Sequence, residues 1–444
     1  MPSCLRMDTL RCIFLFSLFA VFSRPAFSEV SIVEKDHWKV SLYGLIELDM
    51  AADSVRSFTT SLANQPVDLP GTYAGDNGRL QLSAAGSRLG LNIVPPLYKS
   101  ENYWRTRANI EFDFFGALSG SQQIVYTTPL ARMRLGYVVA EKEGWQILAG
   151  QHWTVFGWVP NFVQWQVSQG PNVGEACTWE PQLMVSKTFE TSEKDRAQVA
   201  LSFTRPPQRD AFFPGIEAGF KYSFGNMRAG FSSPAGDMGT APLMLAVSGL
   251  LRKFVVPSSA TDTKAQTSYT GTAFAVDVMI PILSTSSEKN YGNTLALSGE
   301  FATGTGAGDN FAGYSGGLTS MPTGATFPAS ETNLDGGYGG YDGTTGEFRL
   351  IKILSYNAQL QYHFPMSWRA FMTFGYGQIS SDNVAGLTPA GDIYDKVQGY
   401  FGNLNYDFTR KLRFALEYNA YRTHFVSGSW GNATRFQFSV LFRI

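Results

Sequence analysis

The chain predicts an all-β fold, a 16-stranded antiparallel transmembrane β-barrel with one loop folded inward as a constriction. Three observations carry this expectation. Apolar and polar residues alternate with a period of two in block after block, as half-buried strands do. The apolar faces are rich in large aromatics while the polar faces carry charges, as a lipid-facing wall around a wet lumen requires. Beyond the leader no apolar run is long enough for a transmembrane helix. The balance of 35 Lys+Arg against 36 Asp+Glu excludes a nucleic-acid partner recruited by bulk positive charge. A hydrophobic fraction of 44% excludes a charged disordered chain.

Residues 1–28 read as a secretory signal peptide. Arg6 and Arg11 precede the apolar stretch from Cys12 to Phe22, and Ala26-Phe27-Ser28 offers small residues for cleavage before Glu29. That stretch spans about 16 Å as a helix, short of the roughly 30 Å hydrocarbon core, so it does not anchor the chain. Cys4 and Cys12 leave with the leader, and Cys177 alone cannot make a disulfide framework. Residues 29–444 form the barrel.

The first strand sets the pattern: Trp38, Val40, Leu42, Ile46, Leu48 and Met50 share one face, Lys39, Ser41, Glu47 and Asp49 the other. Around 103–115, Trp104, Ala108, Ile110, Phe112 and Phe114 oppose Arg105, Arg107, Asn109, Glu111 and Asp113. The last segment sets Phe436, Phe438, Val440, Phe442 and Ile444 against Arg435, Gln437, Ser439 and Arg443. Sixteen strands follow at 38–50, 79–93, 103–115, 126–140, 145–151, 182–190, 196–204, 215–224, 242–254, 272–283, 294–303, 347–364, 368–378, 397–408, 411–424 and 434–444. Up-and-down parity places the long connections 51–78, 152–181 and 304–346 on the outer side. Glu141 to Gly144, Pro365 to Ser367 and Thr409-Arg410 become short inner turns, as outer-membrane barrels prefer. The 225–241 connection stands out as a long inner turn. Eighteen strands result if it, or part of the Gly-rich extracellular loop 304–346, is itself paired.

A barrel of 16 to 18 strands encloses a water-filled channel, which needs a constriction to be selective. The 152–181 connection supplies the candidate, with His152, Trp153, Glu175 and Glu180 as its pore-facing residues. Its aromatics, Trp153, Phe156, Trp158, Phe162, Trp165 and Trp179, suit packing against a wall. Non-helical backbone at membrane depth must lie against protein or water. The alternative is an outward loop making subunit contacts.

Gly86-Ser87-Arg88-Leu89-Gly90-Leu91 resembles a strand motif of general bacterial porins. Leu42-Tyr43-Gly44-Leu45-Ile46-Glu47-Leu48-Asp49, the run Leu148 to Phe156, Gly170-Pro171-Asn172 and Pro181-Gln182 are similar to the DcaP-like porin family, with His152 where that family usually has Thr. The resemblance implies a homotrimeric porin in the bacterial outer membrane, surrounded by lipid. It implies passive diffusion of small, anionic, dicarboxylate-like solutes.

One charge cluster is informative by itself. Arg105, Arg107, Glu111 and Asp113 on the third strand and Arg132 and Arg134 on the fourth share the inward face, with Met133, Leu135, Tyr137 and Val139 outward. The expected register sets Arg132 beside Glu111 and Arg134 beside Asn109. Arginine stays charged and presents a rigid fork to carboxylates, and a wall of one sign in a narrow pore sets ion preference. Glu175 or Glu180 facing it would create a transverse field. The plainer reading is that these arginines anchor the loop and neutralise Glu111 and Asp113. Arg88, Arg369, Arg413 and Arg435 extend the positive surface.

No enzyme is expected. His37, His152, His363 and His424 are scattered without metal-ligand spacing, so neither a metal nor a cofactor is expected. His37 falls at the barrel base, His363 at an inner strand end and at the membrane interface, and His424 at the outer rim. The alternatives are an 18-stranded sugar-type porin and a non-transporting surface barrel or adhesin that works through 304–346.

Overall fold

The computed structural model describes residues 29–56, 66–96, 103–116, 130–159, 161–162, 166–167, 170–206, 212–257, 266–311, 314, 316, 338–388 and 392–444. The leader 1–28, Trp165 and most of 304–346 lie outside them. The chain forms a closed antiparallel barrel. Its wall strands are β1 (Trp38–Asp53), β2 (Arg79–Ser83 and Arg88–Val94), β3 (Arg105–Gly116), β4 (Leu130–Lys142), β5 (Trp145–Trp153), β6 (Trp179–Glu190), β7 (Arg196–Thr204) and β8 (Gly215–Gly230). They continue as β9 (Thr240–Pro257), β10 (Gln266–Leu283), β11 (Thr294–Thr305), β12 (Lys352–His363), β13 (Ala370–Ser380), β14 (Tyr394–Asp407), β15 (Leu412–Phe425) and β16 (Trp430–Arg443). The hydrogen-bonded sheet has 18 segments. Two are halves of β2, and one, Val30–Lys35, pairs with the inner end of β1 below the last residue. Sixteen wall strands remain. Closure runs from Leu45 opposite Arg443 to Asp53 opposite Arg435.

The alternation dictates which way each face points. Ile46, Leu48, Met50, Phe436 and Phe442 are exposed on the outside, while Glu47, Asp49, Arg435, Gln437 and Arg443 are buried inside. Trp38, Trp104, Trp145, Phe189, Trp368 and Phe408 stand exposed around the inner edge, where amphipathic rings meet a membrane interface. Glu143 and Gly144 take positive φ at the two central positions of the β4–β5 turn, the geometry that matches strand twist. Part of the 304–346 region pairs separately. Gly339–Asp342 joins Phe348–Leu350 and Leu387–Thr388 in a small sheet over the outer mouth, so it adds no wall strand.

One strand departs from the sequence reading. Glu111 opposes Leu135 and Phe112 opposes Met133, so Arg134 is an extra residue on β4. This bulge turns Arg134 and Leu135 inward together and reverses the parity beyond it. Leu135 and Val139, expected on the lipid face, are 5% and 2% exposed inside, and Val138 takes the lipid side. The bulge also moves the register: Arg132 opposes Asp113, not Glu111.

Candidate functional site: a lumen crossed at two heights

The lumen is not an open tube. Many of its inward side chains are dehydrated; Arg413, Gln437 and Asp49 are each 0% exposed. A channel filled only with water would leave such groups wet. Two chain segments account for the difference. One was expected, and the other is the unusual inner turn.

The outer crossing is the connection after β5. Its first turn, Phe156–Trp158, lies against β8, β9 and β10. Backbone amides there have no strand partner, so wall side chains serve them. Glu217 on β8 accepts from the amides of Val155 (2.8 Å) and Phe156 (3.1 Å). Ser248 on β9 accepts from Gly157 (2.9 Å). Trp158 donates its indole N–H to the Val247 carbonyl (3.0 Å), and its ring lies over Gly219, where a Cβ would come within 2.8 Å. Further along, Glu300 on β11 accepts from Ala176 (2.9 Å) and Glu417 on β15 from Val167 (2.8 Å). Gln166 donates to the Tyr421 hydroxyl (2.6 Å), and Ser355 to the Gly174 carbonyl. The segment thus reaches from β5 and β6 to the far wall, as an inward constriction must.

The inner crossing is 231–239. β8 continues to Gly230, deeper than the sequence pattern suggested, and its end leaves the wall. Gly230 donates to Thr294 on β11 (2.8 Å) and lies against the His363 ring. The Ser232 amide donates to Gln361 Oε1 on β12 (2.6 Å), and Gln361 Nε2 returns a bond to the Ser232 carbonyl (3.0 Å). Arg413 on β15 donates to the carbonyls of Ser233 (3.0 Å) and Pro234 (2.6 Å), and Arg443 on β16 to that of Gly236 (2.8 Å). Asp407 pairs with both arginines, at 2.6 and 3.0 Å. His363 is therefore at an inner strand end, as expected. It points into the lumen, fully buried and stacked on Phe371, rather than at the membrane interface.

The arginine wall lies on the near side. Arg134 bridges Glu111 (2.8 Å) and Asp113 (3.2 Å), with its guanidinium 4.8 Å from the Trp179 ring centre and 5.6 Å from that of Trp153. Arg132 reaches Asp113 at 2.6 Å and keeps 40% of its side chain exposed. Arg107 meets Glu141 (3.2 Å) and the Tyr137 hydroxyl (3.3 Å), and is half-buried. Arg105 is exposed, opposite Glu141 in the register. Arg88 lies 3.8 Å from Glu111. Of the others, Arg435 pairs with Asp53, and Arg369 is exposed at an inner turn.

Each expected loop residue has a place. His152 is buried, its Nδ1 3.1 Å from the Trp153 carbonyl and its ring edge-on to Tyr137. Trp153 and Trp179 pack edge to face at 5.0 Å. Glu175 accepts from the Asn172 amide (3.2 Å). Glu180 pairs with Arg252 on β9 (3.3 Å), which also holds Asp309 at 2.6 Å. A cavity of about 410 Å³ opens beside them, lined by Gln151, Thr178, Trp179, Glu180, Arg205 and Tyr338. His37 sits in the turn below β1, and His424 at the outer rim bonds Asp395. Among the described residues no cluster of three His, Cys, Asp or Glu is arranged to hold a metal ion. The sequence reading missed the wall acids Glu217, Glu300 and Glu417. The only signal was a single acid at an inward position of each strand.

No protein-family model matches this chain, and neither does any curated protein. Among solved structures it resembles the outer-membrane channel DcaP of Acinetobacter baumannii, with a TM-score of 0.62 at 16% identity over 92% of this chain and 97% of that one. OmpF of Salmonella typhi superposes with a TM-score of 0.51 at 10% identity, over 94% and 100% of the two chains. At such identities the likeness speaks to fold. With sixteen strands, an apolar outside and a loop folded into the lumen, the chain shares the barrel fold of the DcaP channel.

Proposed function

We propose that the protein is an outer-membrane diffusion channel, working as a homotrimer, for small hydrophilic solutes, with a preference for anions. The observation that carries this reading is a closed barrel, apolar outside, whose charged lumen is narrowed by its own chain. Catalysis has no comparable support, since the buried histidines are engaged in structural contacts. The anion preference rests on the near wall, where Arg88, Arg107, Arg132 and Arg134 face Glu111, Asp113 and Glu141. Arg107 and Arg132 keep exposed surface, so they are the cations a passing solute meets. A guanidinium is a natural partner for a carboxylate, and charge lining a narrow pore sets which ions enter. The leader directs the chain to the envelope, and lipid covers the outer face.

Planar-bilayer recording tests the reading. In a salt gradient the wild-type protein gives a reversal potential on the anion-selective side. Arg107→Ala with Arg132→Ala moves it toward zero or beyond. An unchanged potential rejects the arginine filter, and absence of any conductance rejects the channel.

A further inference from the structure

We propose that residues 231–239 form a second constriction, in series with the outer crossing, that sets the size limit at the inner mouth. The inference rests on the channel reading above and concerns a segment that reading does not need.

The strand register leaves no need for a long turn here. Gly230 pairs with Thr240 across the β8–β9 ladder, so a two-residue turn would suffice to join the strands there. The chain instead inserts 231–239 and sends it inward. The segment leaves the wall at β8, touches β11 and β12 through Thr294 and Gln361, and ends against Arg413 on β15 and Arg443 on β16. In a closed barrel of sixteen strands, β8 and β16 are half a circumference apart. The segment therefore crosses a diameter.

The anchors are costly to bury. Arg413 and Arg443 are 0% and 1% exposed. Burying a guanidinium is unfavourable unless its donors are filled. Here Asp407, the carbonyls of Ser233, Pro234 and Gly236 and that of Arg410 fill most of them. A turn left in water would need no such partners. Ala235 packs with Tyr43, Leu45, Ala415 and Leu441, and Val167 of the outer crossing belongs to the same cluster. The two crossings meet against the β1, β15 and β16 wall. A solute that clears the outer crossing must still pass beside the inner one.

The test replaces 231–239 by Asn-Gly in the full chain and records single channels in potassium chloride. Removing one of two comparable resistances in series raises unit conductance by roughly twofold, and larger neutral sugars then enter proteoliposomes faster. A wild-type protein that conducts and a replacement with a larger unit conductance support the proposal. Equal conductance and equal sugar cut-off in both forms overturn the second constriction and leave the channel standing; silence in both overturns the channel reading itself. Because the replacement can fail to fold, Ser233→Cys in a Cys177→Ala background gives an independent measurement. A charged methanethiosulfonate reagent should lower its current in steps relative to the Cys177→Ala parent. A current unchanged by complete labelling overturns the proposal.

Discussion

The two crossings solve one problem with opposite chemistry. At the outer crossing the wall accepts: Glu217, Glu300 and Glu417 take backbone amides. At the inner crossing the wall mainly donates, with Arg413 and Arg443 capping backbone carbonyls. The wall's own amides and carbonyls are spent on strand pairing, so only side chains are left to satisfy a segment that crosses the lumen. These buried charges are therefore structural first. The two crossings also take different anchors, single acids for the outer one and arginines paired with Asp407 for the inner.

Breaking the inner set should have the largest effect. Arg413→Met removes the partner of two carbonyls and one of the two arginines on Asp407. Losing one member of a buried ion pair costs about 3–5 kcal/mol. Arg443 still reaches Asp407 at 3.0 Å, which places the loss toward the lower end. The thermal midpoint, read by heat-dependent gel mobility, should fall while unit conductance rises. Wild-type values of both would show that Arg413 does not hold the crossing.

Glu217 sharpens the comparison at the outer crossing. Its Oε2 accepts from two consecutive amides, and a buried amide left without a partner costs about 1–3 kcal/mol. Glu217→Ala orphans two amides but also relieves the burial of Oε1, which has no hydrogen-bond partner among the described residues, so it should destabilise by somewhat less than the arginine change and make the open-channel current noisier. Glu217→Gln keeps an acceptor oxygen at the same position and should recover most of the loss. If Gln is as damaging as Ala, the acid serves by its charge and not as an acceptor.

How much of this was legible follows from the periodicity. Strand number, direction and lipid face could be read because a period of two survives wherever one face meets lipid, as at Ile46 against Glu47. The inward loop after β5 was legible from its aromatics. The β4 bulge was not, since one inserted residue leaves local composition unchanged while reversing Leu135 to Val139. The inner crossing was visible only as an awkwardly long turn. Its anchors, Arg413 and Arg443, read as ordinary lumen charges, because their partners are backbone carbonyls 179 and 207 residues away in sequence. Pairings of that range leave no local pattern.

The smallest effect is expected at the edge of the inner crossing. The Asp237 carboxyl lies 3.6 Å from Arg443 and is about half exposed. Burial pushes its pKa above the usual carboxylate range; Arg443, Arg413 and Lys411 oppose that rise and Asp407 adds to it. A carboxyl that binds its proton more tightly in the folded chain disfavours folding when ionised, and the penalty disappears as pH falls through the raised value. Asp237→Asn carries the neutral form at every pH. Its thermal midpoint should therefore equal or slightly exceed that of the wild type at neutral pH, and the gap should close on acidification. A variant less stable than the wild type at neutral pH, by a gap that closes on acidification, would mean that the ion pair with Arg443 outweighs burial. Asp237 would then join Arg413 and Arg443 among the groups that hold the crossing closed.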